Sequence, residues 1–397
     1  MSKTVAVFFV ALFSVLLILL SKVFTTAPPA LNLVNPLVVV RLQSIEIGDS
    51  LPLEISGRWQ LRNSADDTVL VERDNFQGNL LCDISGPRFG SYASNNHDSV
   101  YLHCQSPESL RLNYFTYPGD LLIEVEYDDL RQRSRLNLFL RLELEDYVLG
   151  VVCGELPSQS PGIEAALEAQ AIAARTYAIY KIQQGKRLRG DSRDQVYKGS
   201  DYHTEQARAA VAETRGMVLS ENKKILLSFF HRNCGGATSN SFDSEFSATP
   251  VAALVGSEDK LCDDVYQRWQ RTVDVKLLDK LSTEFGLGDS LLALNTVSKD
   301  KTQRRLQMRL QGLTGHQNVT GEFVRARLGL PSMIWHELVI NPDGSITITG
   351  SGYGHGIGFC QEGAMRRAKQ GVDYATILQH YYPGANVEVL TANLFNQ

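Results

Sequence analysis

One glutamate stands where its carboxyl group could act as an acid. Glu155 follows an apolar run and precedes Leu156-Pro157. A residue before proline disfavours helical geometry, so the chain is expected to bend at Leu156. A carboxyl group held on a bend beside apolar residues is partly shielded from water, which raises its pKa. A general acid needs such a pKa near neutral pH. Alternatively, Glu155 caps the next helix or pairs with Arg175.

The alanine-rich segment that follows predicts the helix supporting this bend. The helix is expected to begin near Gly162 or Ile163, after a loop that contains Pro161. Apolar residues then recur at helical spacing. They form one stripe, made of Ile163, Leu167, Ala171, Ala174 and Ala178. Alanine on this stripe would let another backbone pack very close.

The first residues carry an export pattern. Lys3 precedes an apolar run, Val5–Leu20, that is interrupted only by one serine. Residues 1–27 are therefore interpreted as a signal peptide or, with preference, as an anchor formed by residues 5–24, because such a run approaches the roughly 20 residues that span a bilayer. Residues 28–36 read as a linker. Either reading places the rest of the chain in the periplasm or cell envelope, and the N-terminal segment would make the inner membrane a partner.

The remaining pattern predicts an α+β fold in two parts. Short alternating stretches separated by turn residues indicate a small β-rich module over residues 37–114. Residues 115–392 mix strand and helix patterns and are assigned to one catalytic domain. A one-sided strand and a short helix indicate a subdomain inserted at about residues 273–340.

Charge and cysteines limit the class of protein. The net charge of -5 argues against a general nucleic-acid binder. Six cysteines fit an oxidising compartment, where disulfides form. Cys82 and Cys104 are predicted to form a structural disulfide within the β-rich module. The pairing of the later cysteines stays open at this stage.

Several motifs in order resemble the stage II sporulation protein D family of bacterial cell-wall proteins. The similarity covers roughly residues 117 to 390. The motifs are EDYVLGVVCGELP, EAALEAQAIAARTYA, DQVYKG, AVAETRGMVL, SFFHRNCGGATSNS and SGYGHGIGFCQEGAMRRAKQGVDYATILQHYYPGA. The best-understood relatives resemble lytic transglycosylases that act on peptidoglycan strands freed of stem peptides. The resemblance implies that Glu155, in the Glu-Leu-Pro motif, is the catalytic acid.

The resemblance implies a reaction that needs one carboxylate. Glu155 would protonate the bond between N-acetylmuramic acid and N-acetylglucosamine, then accept the proton of the muramyl 6-hydroxyl as that oxygen closes a 1,6-anhydro ring. No cofactor is required. Two alternatives stay open: a non-catalytic wall-binding protein that enhances an amidase, as the family also includes amidase enhancers, and a zinc hydrolase.

Further residues in the motifs are assigned to substrate binding. Arg175 would orient Glu155 or hold a sugar substituent, or else form a structural salt bridge. Glycines allow close approach of backbone to a ligand, and the glycine-rich segment after residue 350 reads as a wall for a long polymer. The assigned residues are Arg175, His231, Gly235, Gly236, Tyr353, His355 and Gln361.

The same segments suggest a metal site or a disulfide. His231 and Cys234 have a spacing that two zinc ligands can use, and Cys262 could join them, with His355 or Cys360 completing the set. Some family members carry zinc near the active cleft. The rival interpretation, preferred from sequence, is a Cys234–Cys262 disulfide or free thiols.

Overall fold

The computed structural model describes residues 34–94, 97–244, 246–262 and 268–396. The predicted signal peptide or anchor lies outside these residues. Within them, no helix is both long enough and apolar enough to cross a membrane.

Eleven strands form one large sheet in the first half of the chain. The spatial order is β11-β1-β10-β9-β6-β2-β3-β4-β5, and β7 pairs with β2 and β8. Neighbouring strands are antiparallel, except that β1 and β11 are parallel. Their bounds are β1 (Leu37–Glu46), β2 (Ser50–Asn63), β3 (Val69–Asp83), β4 (Gly86–Phe89), β5 (Tyr92–Ala93), β6 (Val100–Cys104), β7 (Leu110–Leu112), β8 (Phe115–Tyr117), β9 (Asp120–Asp128), β10 (Arg133–Glu143) and β11 (Leu188–Arg189).

Strand β10 carries the sheet directly into the first helix. Alternate residues of β10 point into the core: Leu136, Leu138, Leu140 and Leu142 are buried, as the period of two in a strand requires. The strand ends at Glu143 and the helix begins at the next residue. Residues 120–143 thus share a sheet with residues 37–114, so the sheet continues past the predicted module boundary at residue 114.

The helices pack around one alanine-rich member. They are α1 (Leu144–Glu155), α2 (Glu164–Gln183), α3 (Glu205–Glu213), α4 (Val275–Glu284), α5 (Gly321–Leu328), α6 (Gln361–Lys369), α7 (Tyr374–Tyr381) and α8 (Ala392–Phe395). Helix α2 contacts α1, α3, α6 and α7. The predicted stripe on α2 and its N-cap is completely buried, because alanine side chains allow neighbouring helices to approach closely.

Smaller sheets complete the second half. Their orders are β13-β12-β22, β14-β21, β15-β20-β19 and β16-β17-β18. The strands are β12 (Met217–Glu221), β13 (Lys224–Ile225), β14 (Phe230–His231), β15 (Trp269–Val273), β16 (Leu291–Lys299), β17 (Arg305–Gly312), β18 (His316–Thr320), β19 (Ile334–Ile340), β20 (Ile346–Ser351), β21 (Phe359–Cys360) and β22 (Asn386–Val389). Strands β14 and β21 are parallel.

Two hydrophobic clusters show how the chain is organised. The larger runs from the eleven-stranded sheet through α1, α2, α6 and α7. The smaller lies within residues 273–348, close to the predicted insert, and includes Met308 and Leu310 of β17. The limits of the insert, about residues 273–340, stay a prediction. Strand β15 precedes this segment and strand β20 follows it. The mixed α+β fold is confirmed.

The predicted Cys82–Cys104 disulfide is wrong in this structure, where both thiols are free. Cys82 lies on β3 and Cys104 on β6, on opposite sides of β2. Cys104 faces Trp59, whereas Leu81, next to Cys82, faces Ser50. Ser50 and Trp59 are nine residues apart on β2, which corresponds to roughly 30 Å along an extended strand. This separation exceeds the reach of a disulfide.

Candidate functional site

Glu155 is the last residue of α1, at the bend predicted from the sequence. Leu156 has extended backbone angles, φ -119 and ψ 150, as expected before Pro157. The Glu155 side chain is half-buried. The bend therefore stops the helix and leaves the carboxyl group at the C-terminal end of α1.

Two glycines on α1 bring a second segment onto Glu155. A Cβ at Gly154 would lie 2.4 Å from the carbonyl oxygen of Val196, and one at Gly150 would lie 2.3 Å from the Tyr197 ring. These glycines are four residues apart and so share one face of the helix. The close approach lets the backbone N–H of Val196 donate to Oε1 of Glu155 at 2.7 Å.

The first residue of α6 holds the other carboxyl oxygen. Nε2 of Gln361 donates to Oε2 of Glu155 at 3.0 Å and to Oε1 of Gln170 on α2 at 3.3 Å. Gln361 and Gln170 are buried. The structure thus places Gln361 against the candidate acid, and its predicted contact with substrate stays a prediction.

The pKa of Glu155 is raised, and burial is the main cause. The hydrogen bonds from Val196 and Gln361 and the positive charge of Lys198 lower the pKa but do not cancel the effect of burial. The C-terminal end of a helix carries partial negative charge, which also disfavours a carboxylate there. A fixed carboxyl group with a raised pKa is suited to donating a proton.

Arg175 does not contact the Glu155 carboxyl group, contrary to the first interpretation of this residue. Its guanidinium is completely buried and pairs with both oxygens of Glu145, at 2.9 and 2.7 Å. Glu145 lies in the first turn of α1 and Glu155 ends the helix, a separation of roughly 15 Å along the helix. A guanidinium in this position cannot reach a sugar, so the alternative of a structural salt bridge is correct.

The two predicted histidines lie next to each other inside an aromatic cluster. The rings of His231 and His355 are 5.5 Å apart, and His355 packs against Phe229 and Phe246. Burial lowers the pKa of His355 to about 3 and that of His231 well below its usual value. His231 is buried and donates from Nδ1 to the carbonyl of Ile357. Direct substrate contact by His231 is therefore not supported.

The predicted glycine wall packs against the protein itself. Gly235 has φ +68, and a Cβ there would lie 3.2 Å from the backbone nitrogen of Gly352. Gly236 accepts a hydrogen bond from the backbone of Asp259. A Cβ at Gly356 would collide with the Arg304 guanidinium. These glycines allow close contacts between chain segments, and the prediction that they line a polymer-binding surface stays a prediction.

Tyr353 is exposed on the surface of the protein. Its side chain is 47% exposed, and the Arg232 guanidinium lies 5.4 Å from its ring centre. Arg232 pairs with Glu362, the neighbour of Gln361. Tyr353 is thus linked through a short series of contacts to the residue that holds Glu155.

The cysteines of the second half form a cluster that excludes His231. The ligand atoms of Cys234, Asp259, Cys262 and Cys360 all lie within 4.8 Å of one another, and all four residues are buried. The thiols of Cys262 and Cys360 are 3.4 Å apart and not bonded. The predicted set of His231, Cys234 and Cys262 is therefore corrected: Asp259 and Cys360 replace the histidine, whose Nδ1 is used by Ile357.

Sequence reasoning missed several residues that shape the site. Lys198 and Gln170 were not singled out, and neither were the glycines of α1. The spacing of Gly150 and Gly154 inside an apolar run is a readable signal, because glycines at i and i+4 make a flat helix face. No sequence pattern indicated Asp259, because its carboxylate comes close to the three thiols only in the folded chain.

Comparison with known proteins identifies the family of this chain. Residues 132–220, which contain Glu155, match the family model described as Stage II sporulation protein. Stage II sporulation protein D of Bacillus amyloliquefaciens is 33% identical over 62% of this chain and 74% of its own length. The protein of that name in Bacillus subtilis is 28% identical over 64% of this chain and 76% of its own length.

A third relative has a different name. The amidase enhancer of Bacillus subtilis is 28% identical over 60% of this chain and 40% of its own length. The family model, the two sporulation proteins and the ordered motifs agree. The chain belongs to the stage II sporulation protein D family.

Proposed function

We propose that this protein acts on the bacterial cell wall outside the cytoplasm, as a lytic transglycosylase of peptide-free glycan strands. The observation that carries the proposal is the Glu155 carboxyl group. It is half-buried, has a raised pKa, and is held at both oxygens by Val196 and Gln361. Membership of a sporulation protein family supports a role at the wall.

The proposed reaction uses Glu155 twice. Its protonated carboxyl donates to the oxygen between N-acetylmuramic acid and N-acetylglucosamine, and the bond from that oxygen to C1 of the muramyl ring breaks. The 6-hydroxyl oxygen of the same ring then bonds to C1, and its proton returns to Glu155. The products are a 1,6-anhydromuramyl end and a new N-acetylglucosamine end, with the enzyme restored.

The charges around Glu155 support a mechanism with one carboxylate. Conventional glycosidases place a second carboxylate at roughly 5 to 9.5 Å, where it acts as nucleophile or base. Among the described residues, the charged side chain that shifts the pKa of Glu155 is Lys198, a cation. An intramolecular hydroxyl nucleophile removes the need for a second acid.

Tyr353 and Arg232 are proposed to contact the glycan. Tyr353 presents an exposed ring, and the apolar face of a sugar packs well against an aromatic ring. Arg232 is exposed beside it and is oriented by Glu362. His355 is half-buried and neutral at physiological pH, which fits the predicted role of an uncharged polar contact for the glycan.

Mass spectrometry of digested glycan tests the proposal. The full chain in mild detergent would be incubated with glycan strands stripped of peptides. We expect 1,6-anhydromuramyl ends, and a loss of at least about 100-fold in rate for Glu155→Gln, because general acid catalysis contributes on that scale. Glu164→Gln, an exposed carboxyl on α2, is the matched control and should keep full activity.

Other outcomes would count against the proposal. Reducing ends would mean hydrolysis by water and a second catalytic group. Full activity of Glu155→Gln would remove Glu155 from the mechanism.

The amidase enhancer among the relatives favours one second candidate. In that case the chain would bind wall strands without cutting them and would increase the activity of a cell-wall amidase. Uncut strands that still bind the protein, with faster release of stem peptides when an amidase is added, would establish this role. The zinc hydrolase alternative is weakened because the thiol cluster is closed and buried, whereas a hydrolytic zinc keeps an open position.

A further inference from the structure

Three thiols and one carboxylate converge at a point that the proposed reaction does not use. We propose that Cys234, Cys262, Cys360 and Asp259 bind one structural Zn²⁺ ion. The inference goes beyond the proposed glycan cleavage and does not depend on it.

The number and spacing of the ligand atoms suit zinc. Structural zinc is held by four ligands in a tetrahedron, and a zinc–sulfur distance of roughly 2.3 Å places neighbouring sulfurs roughly 3.8 Å apart. Here Cys262 Sγ lies 3.4 Å from Cys360 Sγ, and Cys234 Sγ lies 3.7 Å from Oδ2 of Asp259. All ligand atoms fall within 4.8 Å of each other. Small shifts would therefore complete the tetrahedron.

The surroundings match the charge of such a site. Three thiolates and a carboxylate around Zn²⁺ leave two net negative charges in the interior, which need compensation. Two guanidinium groups are in place. Arg367 donates to Oδ1 of Asp259 at 2.8 Å, and buried Arg304 donates to the carbonyl of Cys234. Nε of Arg304 is buried without a partner in the described part of the chain.

Hydrogen bonds also orient the ligands from outside, as zinc sites require. The hydroxyl of Tyr381 donates to Oδ2 of Asp259 at 2.6 Å. The backbone N–H of Cys234 points at Sγ of Cys360 at 3.3 Å. A Cβ at Gly363 would lie 2.1 Å from both Oδ2 of Asp259 and the Tyr381 hydroxyl. Glycine at this position leaves the space that the carboxylate and tyrosine occupy.

The ion would join segments that are far apart in sequence. Cys234 follows β14, Cys360 ends β21, and Asp259 and Cys262 belong to the 3-10 turn around Lys260–Cys262. Cys360 is also the N-cap of α6, whose first residue, Gln361, holds Glu155. Zinc would therefore fix the start of α6.

A disulfide is the competing arrangement. It would use two of the thiols, would require an external oxidant, and would leave the third thiol and Asp259 without a common function. The four converging groups favour the metal over the pair that the sequence suggested.

Zinc content measured by mass spectrometry tests the proposal directly. The full chain, purified in detergent without chelators, should carry one zinc ion per molecule. Cys234→Ser, Cys360→Ser and Asp259→Asn should each lower the content strongly. Cys104→Ser and Cys153→Ser are matched controls, because neither thiol belongs to the cluster, and both should keep the ion.

A second measurement, made on the wild-type protein, tests the proposal even if the variants fail to fold. Wild-type protein exchanged with Co²⁺ should show thiolate-to-metal charge-transfer absorption and the visible bands of tetrahedral cobalt. Absence of both zinc and these bands would overturn the proposal. In that case, thiol titration in denaturant distinguishes the two remaining states. Four reactive thiols of the six would indicate one disulfide, and six would indicate free cysteines. Retention of zinc by the cluster variants would also overturn it.

Discussion

Cys360 and Gln361 are neighbours in the chain, yet they enter two different chemical environments. Gln361 donates to a half-buried carboxyl group that solvent can reach. Cys360 joins three other buried ligand groups around a closed centre. The carboxylate site is held by two hydrogen bonds and keeps an open side, whereas the thiol cluster is surrounded on every side by protein.

This difference separates the site proposed for chemistry from the site proposed for stability. A catalytic group needs a perturbed pKa together with access for substrate, and Glu155 has both. A structural metal site needs a complete ligand set and no access, which the thiol cluster provides. The shared Cys360–Gln361 junction places the second site in position to support the first.

The largest effect is expected from Gly154→Ala, which should damage the carboxylate site alone. The added Cβ would lie 2.4 Å from the Val196 carbonyl, so the segment that donates to Glu155 must move. We expect roughly 1–3 kcal/mol of destabilisation from overpacking and roughly 100-fold lower glycan cleavage from misplaced groups. Thermal unfolding and anhydromuramyl product formation measure the two effects.

Zinc content should be unchanged in Gly154→Ala, which keeps the two sites distinct. Gly315→Ala is the control, because nothing lies within 4 Å of a Cβ at that position. If Gly154→Ala has normal activity, the contact between Val196 and Glu155 does not support catalysis.

A smaller effect is expected from Gln361→Ala, which tests the junction. The hydrogen bond from Gln361 lowers the pKa of Glu155, so its loss should raise that pKa further. Because the reaction needs the protonated acid, the fall of kcat/KM at high pH should move to higher pH. We also expect roughly 10-fold lower activity from the less well oriented carboxyl group.

Gln370→Ala, exposed just after α6, is the chemically matched control for that pH profile. An unshifted profile in Gln361→Ala would mean that Glu155 does not set the high-pH limit.

The smallest effect concerns Glu168, whose carboxyl pKa is also raised but for a different reason. Burial and the hydrogen bond with Glu213 raise the pKa of Glu168 from 4.5 to about 7. A raised carboxyl pKa contributes stability that is complete below pH 4.5 and is lost as the pH rises through about 7. Glu168→Gln, which resembles the protonated form, should therefore raise the Tm at pH 8 and leave it nearly unchanged at pH 4.

Glycan cleavage should be unaffected by Glu168→Gln, because a raised pKa alone does not make a catalytic site. A loss of activity comparable to that of Glu155→Gln would show that the acid had been assigned to the wrong helix.

The sequence predicted the local features of the site correctly. The Leu156-Pro157 step has the extended geometry that ends α1, and every member of the predicted stripe on α2 is buried. Glu155 and Gln361 were both singled out before their contact was known. Local geometry and helical periodicity depend on neighbouring residues, so they can be read without the fold.

The partners of charged and sulfur-containing side chains were predicted less well. Arg175 pairs with Glu145 rather than with Glu155, and Cys82 and Cys104 lie on opposite sides of β2. Both errors came from assigning a partner by proximity in sequence or by residue type. Side-chain partners are set by which elements pack together, and many packings are compatible with one pattern.

The sequence by itself determined the candidate acid, its bend, the alanine-rich helix beneath it and the mixed α+β class. Only the tertiary structure decided that Asp259 and Cys360 cluster with Cys234 and Cys262, and that His231 is not part of this cluster. The parallel pairing of β14 with β21 brings His231 beside Cys360 across more than a hundred residues of chain. Contacts at that separation arise from the packing of whole elements, and spacing along the chain carries no direct record of them.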